Sequence, residues 1–99
     1  MPAPVYYIIS YDIIDAEDFA SYGPKVIPYV SKFGGEVLAS DTNGITVEGS
    51  PKQMNAIIKF PSEEAALKCY NDPEYASIKA IRMRSTTNNT LVLVKEFSS

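Results

Sequence analysis

The sequence predicts a single α+β domain over residues 1–99, in which two helices cover one face of a four-stranded antiparallel sheet. Four segments rich in Val, Ile, Leu and Tyr have the length and the two-residue alternation of strands. Two segments between them carry apolar residues at spacings of three and four, behind residues that cap helices. The order along the chain is strand, helix, strand, strand, helix, strand, which predicts two packed layers.

The first strand and the first helix occupy residues 5–35. Val5 to Ile13 is apolar at alternate positions and at several between them, so both faces of this strand are expected to be covered. Asp15 is a suitable N-cap for the helix, and Gly34-Gly35 is expected to end it because glycine adopts the left-handed conformation without steric cost. The apolar stripe between them consists of Phe19, Tyr22, Val26, Val30 and Phe33.

Two prolines interrupt the first helix. Gly23-Pro24 is expected to divide it after one or two turns, and Pro28, which lacks an N–H donor, is expected to bend the second part. A bent helix either opens a pocket beneath it or adjusts its packing on the sheet, and packing is the commoner use of proline.

The second and third strands follow. Residues 36–40 form a short strand that is expected to resume at residues 45–48, after an Asn43-Gly44 turn or bulge. Gly49-Ser50-Pro51 turns the chain, and residues 53–60 alternate as a third strand.

The second helix has the clearest start signal in the chain. Ser62 is placed to cap it, and Glu63 and Glu64 favour the positive end of its dipole. Asp72, with Pro73 at the first helical position, is predicted to cap a second helical turn, and residues 75–84 are expected to continue as a helix or an irregular segment.

The last strand is predicted over residues 90–96, after a polar turn at Asn88-Asn89-Thr90. The complete order is the split βαβ pattern of the ferredoxin-like fold. The face of the sheet away from the helices is also apolar, which is unusual for a monomer. A second copy of the chain is therefore expected to cover it, giving a homodimer through the open face of the sheet.

Composition excludes several classes of protein. The net charge of -3 and the pI near 4.8 oppose binding to nucleic acid, which depends on clustered Lys and Arg. No apolar run approaches the roughly 18 residues of a membrane span. Cys69 is the one cysteine, so no intrachain disulfide can form and a cytoplasmic location is expected.

The chain offers few reactive groups. It has no histidine, which removes the usual general base, the proximal haem ligand and most zinc or iron sites, so neither metal nor cofactor is expected. Asp15, Glu17 and Asp18 are better explained as a helix start than as metal ligands. Cys69 has no histidine partner and is expected to be an inert buried thiol rather than a nucleophile.

Seven tyrosines and one arginine supply the candidate pocket residues. Tyr22, Tyr29, Tyr70 and Tyr75 lie on the predicted helices, where they either pack in the core or surround a flat, oxygenated ligand, packing being favoured. Arg82 is expected either to clamp a carboxylate or to pair with Glu48. Glu48 would act as an acid or base if it faced an apolar cavity, although exposure at a strand end is favoured.

These segments resemble the domain of unknown function 1330 family, within the dimeric α/β-barrel superfamily of ferredoxin-like proteins. The resemblance covers nearly the whole chain. It is carried by residues 15–22, Pro28, residues 33–38, Val47-Glu48-Gly49, Phe60-Pro61-Ser62-Glu63, Ala65, Tyr70, Pro73-Glu74-Tyr75, Arg82 and residues 91–94.

The resemblance implies a homodimer whose two sheets form a shared barrel, with ligand cavities between each sheet and its helices. It implies no reaction, since related families resemble cofactor-independent monooxygenases of polycyclic substrates, lactone isomerases and haem enzymes. The chain departs from the family pattern at Thr42-Asn43-Gly44, at Gln53-Met54-Asn55 and at Cys69, where tryptophan is common. The smaller Cys69 side chain leaves room for a ligand.

The sequence therefore predicts a small-molecule-binding protein of the dimeric α/β-barrel type. The narrower hypothesis is a metal-independent enzyme that acts on a small aromatic, quinone-like or lactone compound. The alternative is a non-enzymatic dimeric module, structural or regulatory, with no dedicated substrate.

Overall fold

The computed structural model describes residues 3–98 and contains one sheet with helices on one of its faces. The elements are β1 (Val5–Ile13), α1 (Ala16–Phe19), α2 (Tyr22–Ser31), β2 (Glu36–Asp41), β3 (Met54–Phe60), α3 (Glu63–Asn71), α4 (Tyr75–Ser85) and β4 (Thr86–Lys95). The strands lie in the order β2-β3-β1-β4, and every neighbouring pair is antiparallel. The predicted ferredoxin-like topology is confirmed.

Each of the two predicted helices is divided in two, as their proline signals indicated. The first breaks at Ala20 and Ser21, between α1 and α2. Proline has no N–H to donate, and its ring clashes with the carbonyl four residues earlier, which for Pro24 is that of Ala20. The break therefore lies four residues before Pro24, and Pro24 itself is accommodated in the first turn of α2.

The predicted caps are present. The Asp15 carboxylate accepts a hydrogen bond from the Asp18 N–H at 3.1 Å, and the Ser62 hydroxyl accepts one from the Ala65 N–H at 3.1 Å. The Asp72 carboxylate accepts from the Glu74 N–H at 3.1 Å, which fixes the turn that leads into α4. Pro73 lies in that turn, so it precedes the helix instead of forming its first residue.

The prediction that the second strand resumes at residues 45–48 is wrong. Those residues belong to a long connection, 42–53, between β2 and β3. Within residues 3–98, β2 is an edge strand that pairs with β3 alone, and β3 begins at Met54, so this part of the chain offers residues 45–48 no strand to pair with. The register of β2 and β3 also shifts between Val37 and Ala39, which leaves Leu38 as a bulge.

The predicted polar turn at residues 88–90 is also wrong, because β4 already begins at Thr86. Asn88 and Asn89 together oppose a single residue of β1, Tyr11, and so form a bulge in the strand. Asn88 has a φ of 57°, which asparagine tolerates better than most residues. Its side-chain amide donates to the Asp12 carboxylate at 3.0 Å.

The core lies between the sheet and the helices. The alternation predicted for β1 and β3 places Val5, Tyr7 and Phe60 on this side of the sheet, where they are buried against α2, α3 and α4. The Tyr7 ring meets the Phe60 ring edge to face, with centroids 5.8 Å apart. The Tyr7 hydroxyl donates to the Ala66 carbonyl at 3.0 Å and so ties α3 to the centre of the sheet.

Candidate functional site

The core contains a cavity of about 160 Å³ between the sheet and the helices. Its floor consists of side chains from the inward face of β1, β3 and β4, including Tyr7, Ile9, Tyr11, Ala56, Ile58 and Leu91. These positions alternate along their strands, as a half-buried sheet requires. Val37 and Ser40 of β2 also line the cavity, so its floor is apolar apart from the hydroxyl groups of its tyrosines and of Ser40.

The helices form the roof of the cavity. Phe19, Tyr22 and Val26 come from α1 and α2, Cys69 and Tyr70 from α3, and Tyr75 and Arg82 from α4. Gly23 also faces the cavity, and a Cβ atom placed on it would meet no atom within 4 Å. Ile27 lines the cavity while remaining half exposed, so it lies at the rim.

One corner of the cavity is polar. Arg82 is only 2% exposed, and its Nη1 donates to the Asn89 side-chain oxygen at 2.5 Å. The Tyr22 and Tyr75 hydroxyls lie 3.2 Å apart and share a hydrogen bond. The Nε of Arg82 is buried and has no hydrogen-bond partner among the described residues. The cavity thus combines apolar walls with a few polar groups at one place, which is typical of ligand pockets.

Burial controls the ionisation of the cavity residues. It is the main cause that raises the pKa of Tyr22 far above its usual range, with the neighbouring Tyr75 as the second cause. Burial also raises the pKa of Tyr11 to about 12 and that of the Cys69 thiol to about 11. Burial opposes the charge of Arg82, but Tyr22 and Tyr75 outweigh that effect, and the pKa of Arg82 is raised. At neutral pH Tyr22, Tyr11 and Cys69 therefore keep their protons, and Arg82 keeps its charge.

The structure brings together five of the seven residues that the sequence singled out. Tyr22, Cys69, Tyr70, Tyr75 and Arg82 all line the cavity. They come from α2, α3 and α4, so the two predicted helices do converge over one space.

Tyr29 and Glu48 lie elsewhere. Tyr29 is buried in the core, where its ring stacks on that of Tyr75 at 5.9 Å, and it does not line the cavity. Glu48 is exposed in the 42–53 connection, where it borders a separate, shallow depression. Since Arg82 donates to Asn89 and forms no ion pair among residues 3–98, the pairing of Arg82 with Glu48 is wrong.

Two residues of the site were not predicted: Tyr11, which lines the cavity, and Asn89, which accepts a hydrogen bond from Arg82. Tyr11, on the inward side of β1, could have been found from the alternation of that strand, which places it beside Ile9. Asn89 could not, because it reaches Arg82 only through the bulge opposite Tyr11. That bulge depends on the pairing of two strands that are distant in the chain.

Residues 3–98 contain neither a helix suited to a membrane nor a cluster of metal-ligating side chains. Within this range the helices are all too short or too polar to cross a bilayer. No group of three or more His, Cys, Asp or Glu side chains in the same range is placed to hold a metal ion.

Solved structures share the fold. RPA0582, a protein of unknown function from Rhodopseudomonas palustris, superposes with a TM-score of 0.82 at 19% identity, over 100% of this chain and 86% of that one. SnoaB, a cofactor-independent oxygenase from Streptomyces nogalater, superposes with a TM-score of 0.69 at 10% identity, over 98% and 96% of the two chains. A dimeric protein of unknown function and ferredoxin-like fold from Bacteroides fragilis superposes with a TM-score of 0.58 at 10% identity, over 94% of this chain and 96% of that one.

The family of the chain is shown by its sequence. No curated protein matches the chain. A family model described as "Domain of unknown function (DUF1330)" matches residues 4–97. Because this match spans nearly the whole sequence, the chain belongs to the DUF1330 family.

Proposed function

We propose that this protein is a homodimer that binds a small organic molecule in the cavity between its sheet and its helices. The observation that carries the proposal is the cavity itself, which has mainly apolar walls and a charged corner at Arg82. Packed cores rarely contain voids larger than a water molecule, so a space of about 160 Å³ requires an explanation. A bound ligand provides one.

The volume limits the ligand to about one ring. An engineered apolar cavity of roughly 150 Å³ holds benzene, and the cavity here is about 160 Å³. Single-ring aromatic, quinone-like and lactone compounds match that size. A polycyclic compound does not, unless the helices move apart.

The cavity supports binding more directly than catalysis. A general base must accept a proton near neutral pH, but the raised pKa values of Tyr11, Tyr22 and Cys69 make these groups proton donors. Glu48, the one carboxylate considered for this role, is exposed and outside the cavity. In a metal-independent reaction, the ligand itself would therefore have to supply the general base. For this reason the function that we propose is binding.

The dimer is proposed from the opposite face of the sheet. Ile8 on β1 and Val92 on β4 are register partners there, and both are more than two-fifths exposed. In the 42–53 connection, Ile45 and Val47 are 93% and 91% exposed, so they touch almost nothing of their own chain. Exposed apolar surface of this kind marks an interface. The structurally similar Bacteroides fragilis protein is dimeric, which supports a dimeric state.

The test of ligand binding uses single-ring compounds and a variant in which the cavity is filled. Benzoate, hydroquinone and δ-valerolactone are each titrated while the melting temperature is followed. A ligand at ten times its Kd should stabilise the protein by about 1.4 kcal/mol. Cys69→Trp places an indole in the cavity and should remove the shift.

Leu67→Trp is the matched control, because Leu67 lies on the exposed side of the same helix, α3. It should leave the shift unchanged. If Cys69→Trp does not fold, Ala56→Leu fills the space from the sheet side. No shift with any of the three compounds would favour the alternative, a dimeric module without a dedicated ligand.

A further inference from the structure

The guanidinium of Arg82 is a buried charge without a counter-charge. The residue is 2% exposed, and none of the residues 3–98 accepts a hydrogen bond from its Nε. Among residues 3–98 the one ion pair is between Arg84 and Asp18, where Arg84 Nε lies 2.6 Å from the Asp18 carboxylate and the Arg84 side chain is 58% exposed. Two arginines on the same helix thus differ: the exposed one is paired with a carboxylate, and the buried one is not.

The groups that face Arg82 are tyrosine hydroxyls and an amide, not carboxylates. α2 contributes Tyr22, α4 contributes Tyr75, β1 contributes Tyr11 and β4 contributes Asn89. Asn89 satisfies one nitrogen of the guanidinium, but a neutral amide cannot balance its charge. The polar corner therefore carries one net positive charge, surrounded by apolar walls.

An isolated buried charge is strongly unfavourable, and proteins resolve it by pairing or by ligand binding. Pairing within residues 3–98 is not present. The cavity beside Arg82 is open space that a ligand can occupy. This corner therefore has a positive charge that no carboxylate of residues 3–98 balances, next to open space.

We propose, building on the ligand-binding function above, that the cavity binds a single-ring carboxylate whose charged group pairs with Arg82. The carboxylate accepts hydrogen bonds from the free Nε and from the Tyr22 and Tyr75 hydroxyls. The ring lies among Ile9, Val26 and Ile58. A planar guanidinium matches the planar carboxylate group, and the single charge of Arg82 matches a monoanion better than a phosphate dianion.

The experiment compares benzoate with benzamide, which has nearly the same shape but no charge. Both are titrated calorimetrically into the wild-type protein. A hydrogen bond to a charged group contributes enough for benzoate to bind about 10- to 150-fold more tightly than benzamide. Arg82→Met should abolish this preference. Arg84→Met, which removes the exposed guanidinium two residues away on α4, should preserve it.

Each outcome has a defined meaning. If benzamide binds as tightly as benzoate, the charge pairing is overturned while the proposed ligand-binding function stands. If neither compound binds, the carboxylate proposal fails, and the ligand-binding function fails with it only if hydroquinone and δ-valerolactone also give no shift in melting temperature. If sodium formate binds as tightly as benzoate, Arg82 attracts small anions only and the single-ring specificity is overturned. Because the benzoate and benzamide comparison needs only the wild-type protein, it decides the matter even if Arg82→Met does not fold.

Discussion

At the scale of single residues, the ring and the hydroxyl of Tyr7 make different contacts. The ring of Tyr7 packs against Phe60 beside the cavity, and its hydroxyl donates to the Ala66 carbonyl inside the core. Burial, the largest cause, raises the pKa of Tyr7 to about 12, so the hydroxyl remains a donor at any physiological pH. Tyr7 therefore joins β1 to α3 by a hydrogen bond as well as by packing.

Tyr7→Phe should lower the free energy of unfolding by about 1 kcal/mol, because the buried Ala66 carbonyl loses a donor. Urea denaturation measures the change. Tyr70→Phe is the control: Tyr70 packs on the same Tyr7 ring, but its hydroxyl contacts only Lys79 Nζ at 3.4 Å. Equal losses in the two variants would show that the Tyr7 hydroxyl contributes nothing specific.

The residues of the site differ in how far the sequence could predict them. Tyr22, Tyr70 and Tyr75 follow from helix periodicity, since apolar stripes must face the sheet. The burial of Arg82 cannot be predicted from helix periodicity. A charged residue near a helix end ordinarily faces solvent, as Arg84 does. Its burial depends on Tyr22, Tyr75 and Asn89 meeting in space, and nothing local in the sequence indicates that meeting.

At the scale of elements, the end of α2 shows why two glycines are needed. Gly34 has a φ of 81°, and the Gly35 N–H then donates to the Val30 carbonyl at 2.8 Å. A Cβ atom on Gly35 would lie 2.8 Å from the Phe60 ring and 2.8 Å from that carbonyl. The chain can thus leave the helix directly over the buried Phe60 only if residue 35 has no side chain.

Gly35→Ala should destabilise the protein by about 1 to 3 kcal/mol, because its Cβ would lie 2.8 Å from both the Phe60 ring and the Val30 carbonyl oxygen, and that oxygen belongs to the backbone. Gly44→Ala should change stability by less than about 0.5 kcal/mol, since nothing lies within 4 Å of a Cβ at that position. Both are measured by chemical denaturation. A tolerated Gly35→Ala would mean that the end of α2 is not packed on Phe60 as described.

Elements with local signals were predictable, and those fixed by long-range pairing were not. The caps at Asp15 and Ser62 depend on neighbours three residues away, and both predictions are confirmed. The bulge at Asn88 and Asn89, and the loss of a strand at residues 45–48, depend on which strands are neighbours in the sheet. Only the folded register decides them.

At the scale of the whole molecule, the sheet has one face buried by the helices and one that is not. The proposed dimer covers the second face, so that the cavity lies on the far side of each sheet from the interface. Ligand binding and dimerisation are then separate properties, and variants can remove one without the other.

Ile8→Lys should convert the dimer to a monomer, because it places a charge at the centre of the open face. Sedimentation equilibrium at micromolar concentration should give twice the 10.9 kDa chain mass for the wild type and the single chain mass for the variant. Leu67→Lys is matched in exposure, at 43% against 42%, but lies on α3 and should remain dimeric. A monomeric wild type would remove the dimer and the shared barrel from the account.

The most direct test of the central claim locates a bound ligand by NMR. In methyl-labelled protein saturated with benzoate, the ring protons should give intermolecular NOEs to methyl groups of Val26, Ile58 and Leu91, which line the cavity. Methyl groups of Ile8, Val92 and Val94, on the opposite face of the sheet, should give none. NOEs confined to that opposite face, or none at saturation, would contradict a ligand site between the sheet and the helices.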